Sequence, residues 1–228
     1  MSIADNLQLV RQRMDEAARA AGRDPGQVRL VAVSKLHPAG DVAQGLAAGQ
    51  VLFGESYVQE AQAKIAAVGS SVAQWHFIGH LQSNKARMAA EIFHMVETVH
   101  SLKLAQALAR HWQELGRRLK VLVQVNLGGE AQKSGCLSHE APGLAQAVAG
   151  LPGLELKGLM TIPPFFDDPE QSRPIFAELY RLSQNLAPNL PSGSMDELSM
   201  GMSGDFEAAI AEGSTLVRVG TAIFSNRG

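Results

Sequence analysis

The sequence predicts an α/β protein: a single closed (β/α)8 barrel of the TIM type with an extra helix at its N-terminus. Two observations support this prediction. Short apolar segments rich in Val and Leu alternate with amphipathic segments at helical spacing, and eight such pairs follow one another. No Pro-rich or Gly-rich linker divides the 228 residues, a length within the usual range of one domain. We therefore expect one domain over residues 1–228.

The first two predicted elements are a helix and a strand. Apolar residues between Ile3 and Ala21 recur at the spacing of one helical face, and Gly22 follows the last of them, which predicts a helix. The next segment, Arg29–Ser34, is a run of Val, Leu and Ala without helical spacing and with prolines on both sides. Such a run predicts a buried strand.

The same alternation continues to the end of the chain. Seven further strands are predicted at Val51–Phe53, Trp75–Ile78, Met95–Val99, Lys120–Asn126, Glu155–Leu159, Glu197–Met200 and Thr215–Val219. Helices are predicted at Ala39–Ala48, Val58–Val68, Asn84–Phe93, Leu102–Leu115, Glu140–Ala149, Glu170–Leu186 and Asp205–Ala211, with a short helical turn after Thr221. This order indicates a parallel sheet. Eight units favour a closed barrel, although an open doubly wound sheet has the same alternation.

Composition excludes several functional classes. The chain has 20 Lys and Arg against 22 Asp and Glu, a formal net charge of −2 at pH 7, so a broad nucleic-acid-binding surface is not expected. No apolar run approaches the roughly 18 residues of a membrane span, and Met1–Gly22 lacks the apolar core of a signal peptide. We therefore expect a cytoplasmic protein with no membrane or nucleic-acid partner.

Candidate metal ligands are few. The single cysteine, Cys136, can form neither an intramolecular disulfide nor a thiolate metal site, and it has no obvious base partner. His76 and His80 are four residues apart, but the segment between them is predicted to be a strand followed by Gly79. Without an accompanying pair of carboxylates, these histidines do not predict a zinc site. We expect no metal.

A lysine follows the first predicted strand, at the end of the barrel where active sites of this fold lie. Lys35 ends the stretch Val31-Ala-Val-Ser-Lys35. Partial burial at a strand end would favour the neutral amine and therefore Schiff-base chemistry. The alternative is a lysine that extends from the strand end into solvent. Position alone leaves both interpretations open.

Two glycine-containing loops indicate an anion site. Met200–Asp205 follows the seventh predicted strand and Val219–Ala222 follows the eighth, where barrels of this type commonly bind phosphate. Glycines let backbone N–H groups approach an anion, helix N-termini favour negative charge, and Ser203 and Thr221 add hydroxyl donors. Ordinary helix capping by these polar residues is the alternative.

Arg218 lies within the last predicted strand, between two valines. If the valines face the helices, Arg218 faces the barrel interior, where it needs a hydrogen-bond acceptor. That acceptor is either an internal carboxylate or a ring nitrogen of a cofactor. A Schiff-base lysine, a phosphate site and an arginine for a pyridine nitrogen are together the groups that pyridoxal 5′-phosphate (PLP) requires.

The sequence resembles the pyridoxal-phosphate homeostasis proteins, also called the YggS/PROSC family. Seven separated stretches carry the resemblance, in order: Leu30–Lys35, Phe53–Glu60, Trp75–Lys85, Val123–Asn126 with Lys133–Gly135, Gly158–Pro163, Leu198–Asp205 and Val217–Phe224. They extend from the first predicted strand nearly to the C-terminus. The resemblance implies an alanine-racemase-type barrel without that enzyme's second domain.

The resemblance also implies a cofactor, its ligands and a role. PLP is implied as an internal aldimine on Lys35, with its phosphate held by Ser203, Gly220 and Thr221. Arg218 would face the pyridine nitrogen and leave it largely unprotonated, which weakens the ring as an electron sink. The full implied cofactor-binding set is Lys35, Ser56, Asn126, Met202, Ser203, Arg218, Gly220 and Thr221. The family stores or delivers PLP, so PLP-dependent apoenzymes are the expected partners, and we expect a monomer.

Ser56 and Lys133 are the two candidate residues whose contact with the cofactor is in question. The family usually has Asn where this chain has Ser56, which puts that cofactor contact in question. Lys133 lies in the loop Leu127–Ser138, after the fifth predicted strand and at the same end of the barrel as Lys35. It is interpreted either as a plain surface charge or as a secondary contact that helps transfer the cofactor.

Two enzymatic alternatives remain. A racemase of this fold needs a second base on the opposite face of the cofactor, and Tyr57 is predicted to lie close enough to the barrel mouth for weak activity. A Schiff-base aldolase acting on a phosphorylated substrate would use the same lysine and phosphate loops but would leave Arg218 unexplained. The leading hypothesis is a PLP carrier without established turnover.

Overall fold

The computed structural model describes residues 1–69, 72–114, 116–129 and 134–224. The helices are α1 Ile3–Ala20, α2 Ala39–Ala47, α3 Val58–Val68, α4 Ala86–Ile92, α5 Leu102–Glu114, α6 Ala141–Ala149, α7 Arg173–Leu186, α8 Phe206–Ala211 and α9 Thr221–Phe224. The strands are β1 Arg29–Val33, β2 Leu52–Glu55, β3 Gln74–Phe77, β4 Met95–Val99, β5 Leu119–Asn126, β6 Cys136–Leu137, β7 Leu154–Met160, β8 Glu197–Met202 and β9 Leu216–Val219. No helix within these ranges is long and apolar enough to cross a membrane.

Eight of these strands form one closed parallel sheet. Neighbouring strands follow the order β4-β3-β2-β1-β9-β8-β7-β5, and β4 also pairs with β5. The first and last strands of the barrel are in register from Arg29 with Leu216 to Ala32 with Val219. The predicted (β/α)8 barrel is therefore confirmed. The alternative prediction, an open doubly wound sheet, is wrong, because an open sheet would leave the edges of its two outer strands unpaired.

One strand was not predicted from the sequence. β6 has only two residues and pairs in parallel with the end of β5, Val125 with Cys136 and Asn126 with Leu137. Two residues are too few to produce a periodic pattern, so this strand is formed by tertiary pairing alone. The predicted helix end at Leu115 lies outside the described residues.

Two predicted helices begin differently in the structure. The segment predicted as Asn84–Phe93 opens with a 3-10 turn at Ser83–Lys85 before α4. The segment predicted as Glu170–Leu186 opens with a 3-10 turn at Pro169–Ser172 before α7. Prolines lack an N–H donor and are tolerated in a first helical turn, which is consistent with a start near Pro169 and Pro174.

The barrel interior changes from apolar to polar along its axis. Its lower layer is a separate apolar cluster made of Val31, Leu52, Met95, Leu122, Met160 and Leu216. Glu97 and Arg218 each follow a member of that layer by two residues on the same strand. Side chains two apart on a strand share a face, so this pair forms the next layer toward the C-terminal ends. This polar layer forms the bottom of any site at the C-terminal ends of the strands.

The extra N-terminal helix is confirmed, and it covers the junction between the last two helices. Ser2 and Asp5 form a capping box at its start. The Asn6 side chain donates to the Ile223 carbonyl in α9 at 2.8 Å, and Arg13 forms an ion pair with Glu207 in α8. Helix α1 thus ties the beginning of the chain to its end.

Candidate functional site

A pocket with a volume of about 350 Å³ opens at the C-terminal ends of the strands, where barrels of this type carry their sites. Seven of the eight predicted cofactor-binding residues line it: Lys35, Ser56, Met202, Ser203, Arg218, Gly220 and Thr221. They follow β1, β2, β8 and β9 or belong to the ends of these strands. An apolar wall from the loop after β7 closes the pocket, with Ile162, Pro164 and Phe165 as members.

The eighth predicted residue, Asn126, is not part of this pocket lining. It ends β5, where it pairs with Leu137 of the short strand β6. The cofactor contact expected of Asn126 stays a prediction. Lys133 lies outside the described residues.

Lys35 follows β1 with one residue between them, in a tight turn. The Ser34 carbonyl oxygen accepts the His37 N–H at 3.0 Å, so Lys35 and Leu36 are the central residues of this turn. Lys35 is exposed. Of the two interpretations left open for Lys35, the structure contradicts partial burial and agrees with a lysine that extends toward solvent, because the turn carries Lys35 beyond the strand end to the rim of the pocket.

The two glycine-containing loops meet at one end of the pocket. The Gly220 N–H donates to the Ser203 hydroxyl at 3.2 Å, and Thr221 lines the pocket beside them. Asp205 does not cap α8 with its side chain but accepts the Met202 N–H at 2.7 Å, which closes the loop after β8. Helices α8 and α9 are short, so hydroxyl and backbone N–H donors rather than helix dipoles make this end suited to an anion.

Arg218 forms part of a buried chain of hydrogen bonds across the barrel. Its Nη1 donates to the Ser199 hydroxyl at 2.6 Å and its Nη2 to the Thr161 carbonyl at 2.8 Å. The Ser199 hydroxyl donates to Glu97, whose other oxygen lies 2.6 Å from His76 Nδ1. The arginine therefore reaches an internal carboxylate through Ser199, as one of the two alternatives expected, and it also lines the pocket. Its contact with a ring nitrogen stays a prediction.

This chain of contacts sets the charge of the polar layer. Burial raises the pKa of the Glu97 carboxyl, but the hydrogen bond and charge of His76, the charge of Arg218 and the Ser199 hydroxyl outweigh it, so the pKa lies below its usual value. Burial lowers the pKa of Arg218, and the charges of Glu97 and Asp205 oppose that shift. A guanidinium retains its proton even so. The barrel thus holds a fixed cation over an ionised carboxylate.

A second buried ion cluster lies beside the turn that carries Lys35. Lys64 Nζ donates to the Ser34 carbonyl, to Glu55 Oε1 at 2.7 Å and to Glu60 Oε1 at 2.6 Å. The Ser34 hydroxyl also donates to Glu55, at 2.6 Å. Burial raises the pKa of Glu55, and the hydrogen bonds from Lys64 and Ser34 offset this only in part.

Comparison with known proteins assigns the family. The family model of the alanine racemase N-terminal domain matches residues 3–227. The pyridoxal phosphate homeostasis protein of Pseudomonas aeruginosa is 49% identical over 226 residues, which cover 99% of this chain and 96% of that protein. The chain belongs to the pyridoxal phosphate homeostasis protein family. The Escherichia coli member is 43% identical over 228 residues, covering 99% of this chain and 97% of its own length.

Solved structures agree with this family assignment. A protein of unknown function from Bifidobacterium adolescentis has a TM-score of 0.91 and 39% identity, covering 97% of this chain and 94% of its own. PipY of Synechococcus elongatus, solved with PLP bound, has a TM-score of 0.86 and 38% identity, covering 98% and 100%. The D-threonine aldolase of Filomicrobium marinum, at 19% identity and a TM-score of 0.74, covers 98% of this chain and 61% of its own and shares the fold alone.

The sequence motifs of the family identified the pocket but not the groups behind it. Glu97, Ser199 and Lys64 were not predicted as functional residues. Lys64 had a visible signal, because it follows Glu60 by four residues on a helix, and Val58, Ala61 and Lys64 are the buried residues of α3. A lysine on a buried helical face requires an anionic partner, which the family motif supplies as Glu55 and Glu60.

His76 and His80, the two histidines considered as metal ligands, contact other protein groups. His76 contacts Glu97, whereas His80 Nδ1 lies 2.9 Å from the Ser134 hydroxyl and its ring stacks on His100 at 5.0 Å. Across the described ranges there is no group of three or more His, Cys, Asp or Glu placed to hold a metal ion. Cys136 is buried, and burial raises its pKa to about 11, so the thiol stays protonated.

Proposed function

We propose that this protein binds PLP as a Schiff base on Lys35 and acts in intracellular PLP homeostasis, buffering or delivering the cofactor without turnover. The observation that carries the proposal is the single pocket that brings Lys35, the buried Arg218 and the hydroxyls of Ser203 and Thr221 together. The proposal includes a single cytoplasmic domain over residues 1–228, a monomeric state and PLP-dependent apoenzymes as recipients.

The donor set of the pocket fits this cofactor. PLP has an anionic phosphate, a flat apolar ring with one nitrogen, and an aldehyde. The Ser203 and Thr221 hydroxyls offer neutral donors for the phosphate, and the Gly220 N–H, which donates to the Ser203 hydroxyl, orients that side chain. Ile162 and Ile78 offer apolar contacts to the ring, and Arg218 offers a donor for its nitrogen. A volume of about 350 Å³ is at the lower end of small-molecule sites, which suits a ligand of this size.

The protein's own groups explain holding rather than turnover. When bound, the cofactor supplies an electrophilic aldehyde and a ring that can withdraw electrons. The Lys35 amine would hold the aldehyde as a Schiff base, with loss of one water. Arg218 would donate a hydrogen bond to the ring nitrogen and keep its own proton, which limits electron withdrawal. The Glu97 carboxylate and the Ser199 hydroxyl keep the guanidinium in place.

The racemase alternative lacks the tyrosine that it needs in the pocket. Tyr57, the tyrosine predicted near the mouth, is 54% exposed and does not belong to the pocket lining. In addition to Lys35, the described residues that line the pocket include one carboxylate, Asp205, which accepts the Met202 N–H at 2.7 Å. The position of Tyr57 supports the carrier proposal, because racemisation requires proton exchange on both faces of the bound amino acid.

Borohydride reduction tests the proposal. The PLP-saturated protein is reduced and digested, and peptide mapping is expected to find one pyridoxyl group, on Lys35. The Lys35→Ala variant is expected to yield no pyridoxyl peptide. An unmodified Lys35 in saturated wild-type protein contradicts the proposal. Incubating the same sample with free amino acids tests turnover, and measurable racemisation would favour the enzyme alternative.

The two hydroxyls are expected to act on the phosphate alone. Ser203→Ala and Thr221→Val should each weaken PLP binding by about 10- to 100-fold, because a hydrogen bond to a charged group contributes roughly 1.5–3 kcal/mol. Affinity for pyridoxal, which has no phosphate, should change less than twofold. Both affinities can be measured by absorbance titration. Ser192→Ala, an exposed serine away from the pocket, serves as the control. An equal loss for both ligands would contradict the assignment.

A further inference from the structure

The turn that carries Lys35 has a strained backbone. Leu36 has φ of 63°, in the left-handed region that leucine rarely occupies. It is the second central residue of the turn closed by the His37 N–H and the Ser34 carbonyl, a position where positive φ usually selects Gly or Asn. Such a conformation persists only where neighbouring groups hold it.

Two side chains of α3 hold the peptide groups on both sides of Lys35. Lys64 Nζ donates to the Ser34 carbonyl, which precedes Lys35, and Glu60 Oε1 accepts the Leu36 N–H, which follows it. The same Glu60 oxygen lies 2.6 Å from Lys64 Nζ, so one ion pair connects both contacts. The third acceptor of Lys64 is Glu55 on β2, which anchors the pair to the barrel.

We propose that Glu60, held by Lys64, is a positioning residue for Lys35: it fixes the strained turn so that the lysine amine is presented to the aldehyde of the bound cofactor. The inference rests on the proposed Schiff base at Lys35. Glu60 is not among the residues that line the pocket, so it acts through the backbone of Leu36 and not by contact with the ligand. Displacement of a reacting group by about 1 Å can slow a reaction by on the order of 100-fold.

A purely structural ion pair would have a different effect. Its loss would lower the stability of the fold and leave the rate of Schiff-base formation in the folded protein unchanged. The conservative variant separates geometry from charge, because the Gln amide oxygen in Glu60→Gln still accepts the Leu36 N–H whereas Glu60→Ala removes the acceptor. Glu60 is partly exposed, which favours folding of both variants.

The experiment measures the rate of Schiff-base absorbance after PLP is mixed with apo wild type, Glu60→Ala, Glu60→Gln and Gln59→Ala. Rates are compared at one pH and one PLP concentration for all four proteins, and circular dichroism confirms that each variant is folded. Glu60→Ala is expected to be more than fivefold slower than wild type, and Glu60→Gln less than fivefold slower. Gln59→Ala removes an exposed neighbour in the same helical turn and should match wild type.

Two results would overturn the inference. One is a folded Glu60→Ala protein whose rate lies within fivefold of wild type. The other is Glu60→Gln slowed by more than fivefold, because the effect would then belong to the charge and not to the hydrogen bond. A wild-type protein that forms no reducible adduct on Lys35 contradicts the proposed function instead, so the two failures are distinguishable.

Discussion

Glu97→Gln is expected to destabilise the protein by about 3–5 kcal/mol, the usual cost of breaking a buried ion pair from one side. Glu97 is fully buried and accepts hydrogen bonds from Ser199 and His76, while Arg218 depends on the same carboxylate for charge balance. The neutral amide has nearly the same shape, so the loss reports charge and not a cavity. Urea unfolding monitored by circular dichroism measures the change in free energy of unfolding.

The exposed carboxylate Glu91 on α4 provides the matched control. It pairs with Arg87 on the same helix, and Glu91→Gln should change stability by less than about 0.5 kcal/mol. A loss of similar size in both variants would contradict the role assigned to Glu97.

The same carboxylate gives a defined pH dependence. The pKa of Glu97 is lowered in the folded protein, so its ionised form stabilises the fold. This contribution is fully present above the unfolded-state pKa of about 4.3, declines below that pH and is lost as the pH falls through the folded-state pKa. Wild type should therefore lose its stability advantage over Glu97→Gln on acidification below about pH 4.3. A difference between the two proteins that stays constant down to pH 2–3 would show that charge is not its origin.

Gly158→Ala should cost at least about 2 kcal/mol, because it forces atoms into a closed strand interface. Gly158 is paired with Glu197 across β7 and β8, and a Cβ at this position would overlap the Glu197 carbonyl oxygen. The atoms that the added Cβ would meet belong to the Glu197 backbone, so the overlap is relieved only if strands β7 and β8 separate. The loss can be measured by thermal or urea unfolding.

Gly143 in α6 is the matched control, because a Cβ there meets nothing within 4 Å. Gly143 lies in the first turn of α6, and Gly143→Ala should stabilise the protein by about 0.4–1 kcal/mol because alanine loses less backbone entropy on folding. Opposite signs for the two Gly→Ala changes are the expected result. A stable Gly158→Ala protein would contradict the strand register between β7 and β8.

The barrel was predictable because its strands are local apolar runs separated by helical segments. The pocket residues were predictable for a related reason, since Lys35, Ser203 and Thr221 each follow a recognisable strand. The role of Glu97 was not predictable, because one polar residue within Met95–Val99 gives no indication of partners on three other strands. The exposure of Lys35 depends on the turn around Leu36, which has a positive φ. The sequence does not predict this turn, because leucine rarely adopts a positive φ. Such features arise from contacts between distant parts of the chain.

The closing of the barrel by β1 and β9 has a consequence during biosynthesis. Lys35 follows the first strand, whereas Ser203, Arg218 and Thr221 belong to the last two strands and the loops after them. During translation, Lys35 is therefore synthesised early, and the residues that complete the pocket are synthesised last. Helix α1 cannot dock until α8 and α9 have emerged. Under the proposed function, a nascent or prematurely terminated chain would expose Lys35 without the groups that hold the ligand, and loading would be restricted to finished molecules.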